Sequence, residues 1–261
     1  MNQYAFSYTY SMQGLLKGPP VHQANYAFLG IAPVQFDDIV VRRDSRYVHK
    51  SMPGLTGSDN ALVNSSSHYK PAVLLSGNKA TRLAFQENIS RSTVVQLFTH
   101  ADATTAPDST GLAEPTIFFA DSALRLSEIQ ASQHVATQLV LLLACKTGLG
   151  INQKGEGVFS LARGLASLGV PSILTTLWSV EDKSTYRLSQ LFHEQLATSL
   201  PKDIALQQAK LQFLDEASTL ELLPSEWAGI ILIGNTDPLT SSSPVGLWII
   251  GVLVISGSLG S

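Results

Sequence analysis

An α/β fold, with a mostly parallel central sheet and helices on both faces, is predicted by three observations. Short apolar runs alternate along the chain with segments whose apolar residues recur every three to four positions. Such alternation requires crossover connections, which set the strands parallel and lay the helices against the sheet. Two of the runs, Arg91–Thr99 and Gln138–Ala144, are nearly continuous in β-branched or aliphatic residues, as strands buried on both faces must be. The chain of 261 residues is also 44% hydrophobic and only 14% charged, enough to bury one sizeable core.

The elements follow in order. Tyr4–Tyr10 alternates aromatic and small residues, and Tyr26–Ala32 (YAFLGIA) and Pro71–Leu75 (PAVLL) are bounded by Gly, Pro or Ser, so each is predicted as a strand. Gly57–Tyr69, rich in Ser and Asn around Ala61-Leu62-Val63, shows no clear period and reads as a short helix or an ordered excursion. Lys79–Asn88 is predicted as a short helix ahead of the central strand Arg91–Thr99. After the second central strand, Gln138–Ala144, a helix over Gly157–Leu168 carries Val158, Leu161, Leu165 and Leu168 on one face and is stopped by Gly169 and Pro171. Ser172–Leu177 is the next strand. Lys183–Leu200 has a helical stripe of Tyr186, Leu188, Leu191, Phe192 and Leu196, and Pro201 opens a further helix through Ile204, Leu206, Ala209 and Phe213. Ala228–Gly234 (AGIILIG) closes the set as a strand.

This reading gives one domain over residues 1–240 and a separate segment over 241–261. From Val245 to Leu259 that segment has no charge, which points to a membrane anchor, although a spanning helix wants about 20 apolar residues and a basic flank. An apolar tail packed on the domain or on a partner is the other reading.

Composition excludes several function classes. With 17 Lys plus Arg against 20 Asp plus Glu, a net charge of -3 and no basic stretch, nucleic acid is not expected as a partner. The single cysteine cannot form a disulfide within the chain, and Met1–Ser7 shows no secretory signal, so a reducing, cytoplasmic setting is expected. Scattered histidines with one cysteine offer no closely spaced ligand set, so no metal is expected. Gly148–Gly157 lacks the GK[ST] ending of a phosphate-binding loop and does not match G-x-G-x-x-G, so no nucleotide or other cofactor is expected either.

In open α/β sheets, chemistry gathers outside the carboxyl ends of the strands. His100 directly follows the strand ending Leu97-Phe98-Thr99, and Cys145 directly follows Leu139–Ala144. If the two strands are parallel neighbours, both residues emerge at one edge. A thiolate attacks carbonyl carbon, and an imidazole within about 3 Å lowers the thiol pKa and shuttles a proton to the leaving amine. The following Lys146-Thr147-Gly148-Leu149-Gly150 is small enough to admit a substrate backbone and to point main-chain N–H groups at an oxyanion. A lone cysteine after an apolar strand also packs as an inert small hydrophobe. His22, His49, His68, His134 and His193 read as surface or packing residues.

Several motifs occur in the order found in one family: Phe98-Thr99-His100-Ala101, Leu143–Gly150, Gly155-Glu156-Gly157 and Thr176-Leu177-Trp178-Ser179-Val180-Glu181-Asp182. With Tyr8–Ser11, Phe28–Pro33, the Ala205–Ala209 helix and Trp227–Gly234, the chain resembles a CHAT domain, a caspase-like, clan CD cysteine peptidase family, over Tyr4 to Gly234. The 45-residue separation of His100 and Cys145 is near the caspase spacing of about 50, although the caspase cysteine pentapeptide is absent. The resemblance implies a caspase-like fold, a cysteine endopeptidase with His100 and Cys145 as its dyad, and the main-chain amides of Ala101 and Cys145 as oxyanion donors. It also implies a substrate pocket at Trp178 and Asp182, with the acid matching those of relatives that cleave after a basic residue. The expected partners are a protein or peptide substrate, a repeat-containing partner of the kind CHAT domains are joined to in bacterial signalling, and a membrane through the C-terminal segment. Two positions depart from the family: Ala101 stands where it usually has Gly, and Lys146 where it has Glu. They support the alternative of a catalytically silent CHAT-like scaffold or signalling domain that binds a peptide or protein. A flavodoxin-like ligand-binding domain with an incidental cysteine is the third reading.

Overall fold

The computed structural model describes residues 4–9, 23–36, 39–43, 46–50, 52–102, 116–125, 128, 136–143 and 156–240, with backbone alone at 39–43, 46–50, 102 and 156–160. Its centre is a six-stranded sheet. The strands are β1 (Tyr26–Ala32), β4 (Ala72–Ser76), β5 (Ser92–Leu97), β9 (Leu139–Leu142), β10 (Ser172–Thr176) and β11 (Ile230–Gly234), in the order β11-β10-β9-β5-β1-β4. All neighbours are parallel except β10 and β11, which run antiparallel.

Period-two alternation along the buried strands feeds two separate cores. Leu29, Ile31, Val95, Leu97, Val140, Leu142 and Ile173 face one side, where they meet Phe85 of helix α2 (Arg82–Asn88) and Leu161 and Leu165 of α3 (Glu156–Ser167). Phe28, Val94, Phe98, Leu139, Leu141 and Leu174 face the other. There they meet Leu62 of α1 (Ser58–Ser66), Leu188, Leu191 and Phe192 of α4 (Asp182–Leu196), and Leu206, Ala209 and Phe213 of α5 (Lys202–Glu216). Helices therefore cover both faces, as the apolar runs require. The close approach of α1 to the sheet explains Gly30, because a Cβ there would stand 2.1 Å from Leu62 Cδ2.

Helix ends follow the sequence signals. Thr81 caps α2 by accepting the Ala84 N–H at 3.2 Å. Gly169, with φ 95°, turns the chain out of α3 while the Val170 N–H returns to the Leu165 carbonyl at 3.3 Å. A short helix α6 (Pro224–Trp227) precedes β11.

Some expectations are corrected. Of the two readings of Gly57–Tyr69, the short helix holds, as α1 over Ser58–Ser66. Residues 4–9 contribute one parallel bridge, Tyr8 to Ile233, in place of a full strand. A hairpin of β2 (Ile39–Arg43) and β3 (Arg46–Lys50) and a small antiparallel sheet of β6 (Ala101–Asp102), β7 (Thr116–Phe118) and β8 (Ala123–Arg125) were not expected from the pattern. No helix among the described residues is long and apolar enough to cross a membrane, and residues 241–261 lie outside the described ones.

Chain order and sheet order together locate the natural binding edge. The chain moves from β1 outward to β4, then returns across β1 to β5 and continues through β9 to β10. The strand order thus reverses between β1 and β5, and the crevice at their carboxyl ends is where open α/β sheets place ligands.

Candidate active site

His100 sits at that crevice, three residues past the end of β5. Its backbone is held from two sides. The Phe98 N–H donates to the Ile31 carbonyl of β1 at 2.9 Å, and the His100 carbonyl accepts the Phe118 N–H of β7 at 2.9 Å. The Thr99 hydroxyl also donates to the Phe118 carbonyl. The residue is 1% exposed.

The imidazole is held as firmly. Its Nε2 lies 2.8 Å from the carbonyl oxygen of Pro53. A carbonyl only accepts, so Nε2 carries the proton, and in the neutral ring the basic lone pair falls on Nδ1. Phe36, just past the end of β1, lies against the ring with centroids 4.8 Å apart and planes tilted by 44°. Pro53 and Phe36 were not anticipated from the sequence. The stretch between Ala32 and Gly57 reads only as loop in sequence, and a main-chain acceptor has no residue-type signature.

Ala101 begins β6. The bond from Phe118 to His100 and the register Ala101↔Ile117 make Ala101 a non-hydrogen-bonded ladder position, so its N–H points away from β7. Ala101 is not among the positive-φ residues of the described chain, where the non-glycine examples are Val34 and Ser199. Alanine in place of glycine therefore costs no backbone strain at this position.

β9, which precedes Cys145, is the parallel neighbour of β5, and Leu97 pairs with Leu142. His100 and Cys145 each lie three residues along the chain from that last pair. Cys145, Lys146 and the Gly148–Gly150 loop lie outside the described residues. Next along the edge, Trp178 follows β10 and is 42% exposed. Its Nε1 donates to the Ser225 carbonyl at 2.9 Å, and its ring fills the space that a side chain at Gly229 would need. Asp182 is the first residue of α4 and half-buried, where the helix dipole favours a carboxylate. Beyond it Tyr186 stacks edge-on against Phe98 at 4.9 Å. Burial first, then the charges of Asp182 and Asp59, push the Tyr186 phenol well above its ordinary range.

The family is decided by a match over nearly the whole chain: the model of the CHAT domain fits residues 1–235. The chain belongs to the CHAT domain family. No curated protein matches it. Among solved structures this CHAT domain is similar to the Arg specific cysteine proteinase gingipain R (RgpB), with a TM-score of 0.50 and 11% identity, over 84% of this chain and 50% of that one. It is equally similar to the complex of the pro- and mature domains of RgpB from Porphyromonas gingivalis, with a TM-score of 0.50 and 10% identity, over 84% of this chain and 51% of that one. The CHAT chain thus spans about half the length of these proteinases and shares their caspase-like fold.

The other histidines fall elsewhere. His68 is exposed, His49 lies on β3, and His22 and His134 are outside the described residues. His193 of α4 is wholly buried, its Nδ1 2.8 Å from the Tyr69 hydroxyl and its Nε2 3.1 Å from Gln96 Oε1. A cavity of about 510 Å³ opens at the opposite, amino edge of the sheet beside Asn25, Tyr69, Lys70, Thr93 and Leu196, and none of the expected site residues lines it. Among the described residues no group of His, Cys, Asp and Glu is arranged to hold a metal.

Proposed function

We propose that this CHAT domain is a cysteine endopeptidase in which Cys145 is the nucleophile and His100 the general acid and base. The observation that carries the reading is the place of His100 at the β1/β5 crevice with its Nε2–H on the Pro53 carbonyl, the tautomer whose basic lone pair is on Nδ1. The parallel pairing of β5 with β9 supports it. Both strands leave the sheet at the same edge, and Cys145 follows β9 in sequence as His100 follows β5.

His100 Nδ1 takes the thiol proton, and the Cys145 sulfur bonds to the substrate carbonyl carbon. The carbonyl oxygen becomes an oxyanion that receives the main-chain N–H groups of Ala101 and Cys145. The C–N bond then breaks, with the amine taking the proton from His100. Water, deprotonated by His100, attacks the acyl-enzyme, the C–S bond breaks and the thiol is restored. Trp178 and Asp182 form the pocket for the side chain preceding the scissile bond. The acidic setting of Asp182 and Asp59 suits a basic side chain, the class named in the gingipain's description.

The test is cleavage of a peptide library by the purified chain, with Cys145→Ala and His100→Ala as controls. Cleavage lost in both variants, with products ending mainly in Arg or Lys, is expected. Peptide binding without cleavage in the wild type would replace the peptidase with the scaffold reading.

A further inference from the structure

The strongest strain next to the site is at Val34, a β-branched residue with φ 66°. The Gln35 N–H donates to the Pro33 carbonyl at 2.7 Å, across Val34, which makes this a γ-turn of the rare positive-φ kind. Strain of this sort persists only where the surroundings over-determine it, and it clusters at functional sites. Here the surroundings do so in two ways. The Val34 side chain packs against the core formed with α1 and α4, and its carbonyl accepts the Leu55 N–H at 2.7 Å. The turn therefore ties the end of β1 to the loop 52–57.

Two groups that hold the His100 ring leave from this turn. Phe36, two residues after Val34, covers the ring face. Pro53, two residues before Leu55, supplies the carbonyl that fixes Nε2. Between them, Gly54 passes so close that a Cβ there would stand 3.1 Å from the Val34 carbonyl oxygen. We propose that Val34 is a positioning residue, whose strained turn sets the Phe36 ring and the Pro53 carbonyl and so fixes the tautomer and orientation of His100. The proposal rests on the peptidase reading only for what the tautomer is used for. The geometry itself stands apart from activity.

The experiment is long-range proton–nitrogen NMR of the His100 ring in the full chain, alongside the rate of Cys145 alkylation by a peptidyl ketone. Val34→Gly allows positive φ and is expected to keep the Nε2–H tautomer of the wild type. Val34→Pro forbids it, and is expected to give a mixed tautomer and alkylation slower by about ten- to a hundredfold, the penalty of misplacing a reacting group by about 1 Å. An unchanged His100 spectrum in Val34→Pro overturns the proposal. So does equal loss in Val34→Gly, because that assigns the effect to packing and not to the turn. Should Val34→Pro fail to fold, Gly54→Ala decides: a shifted His100 Nε2 signal is expected, and an unshifted one refutes it. A wild type that is not alkylated but shows the Nε2–H tautomer sinks the peptidase reading while leaving this one intact.

Discussion

His100 and His193 carry the same ring at nearly the same depth, 1% and 0% exposed, in two differently built regions. His193 lies mid-sheet between α4 and β5, with both ring nitrogens matched inside the protein. Gln96 Oε1 only accepts, so Nε2 donates to it, and Nδ1 takes the Tyr69 hydroxyl. Ser189 donates to the same Gln96 oxygen at 3.0 Å, and Phe28 closes the network by stacking on Tyr69. Burial, with the His68 charge second, holds the His193 ring down to about 3. His100 instead sits where β1 and β5 part, its Nε2 on a main-chain carbonyl from a loop. Burial and hydrogen bonding alone do not mark a catalytic histidine. What differs is the topological position: His193 lies between α4 and β5, His100 in the crevice where β1 and β5 part.

The comparison breaks most visibly in activity. His100→Ala is expected to lower kcat/KM of the folded protein by about a thousandfold or more, the scale of lost general acid–base and nucleophile activation. A drop below tenfold would remove His100 from the chemistry. His193→Ala should act on stability and spare the chemistry. It leaves Gln96 and Tyr69 without their ring partner and opens a cavity between α4 and β5, costing about 2–4 kcal/mol in urea unfolding. The folded fraction should still react at Cys145.

The pH dependence sharpens the contrast. The folded-state pKa of His193 lies below its ordinary value of 6.5, so the unfolded chain binds this proton first. The stabilisation is complete above pH about 6.5 and is lost as pH falls towards 3, with a slope of up to about 1.4 kcal/mol per pH unit in that window. Urea midpoints at pH 7 and 5 should separate more in the wild type than in His193→Leu. Equal separations would show that His193 charges freely. The smallest expected effect is at the pocket. Asp182→Asn should reduce the preference for Arg over a neutral side chain by about tenfold or less, because the carboxylate is partly solvated. An unchanged preference would leave Asp182 as a helix-terminal residue alone.

Much of this was legible from residue patterns. β1 matches its expected Tyr26–Ala32 span, because a run of that density between polar turns has one way to be buried. The placement of His100 just past a buried strand was legible for the same reason. The antiparallel direction of β11 was not, since AGIILIG reads alike whichever way it enters a sheet buried on both sides. The β2–β3 hairpin was hidden because Arg42, Arg43 and Arg46 dilute its apolar signal and its Asp44-Ser45 connection is not a typical hairpin turn pair. Pro53 and Phe36 were out of reach for a deeper reason. They meet His100 from 47 and 64 positions away in sequence, one through a carbonyl that every residue possesses. The expected membrane anchor falls on residues 241–261, outside the described part of the chain.

The central claim is that His100 activates Cys145 and His193 does not. It is tested most directly by the adduct formed at neutral pH with a peptidyl acyloxymethyl ketone carrying a basic terminal residue, mapped by mass spectrometry in the wild type, His100→Ala and His193→Ala. A single adduct on Cys145 that disappears in His100→Ala and persists in folded His193→Ala is the result the account predicts. An adduct that forms equally fast without the His100 ring, or no adduct in the wild type, would contradict it.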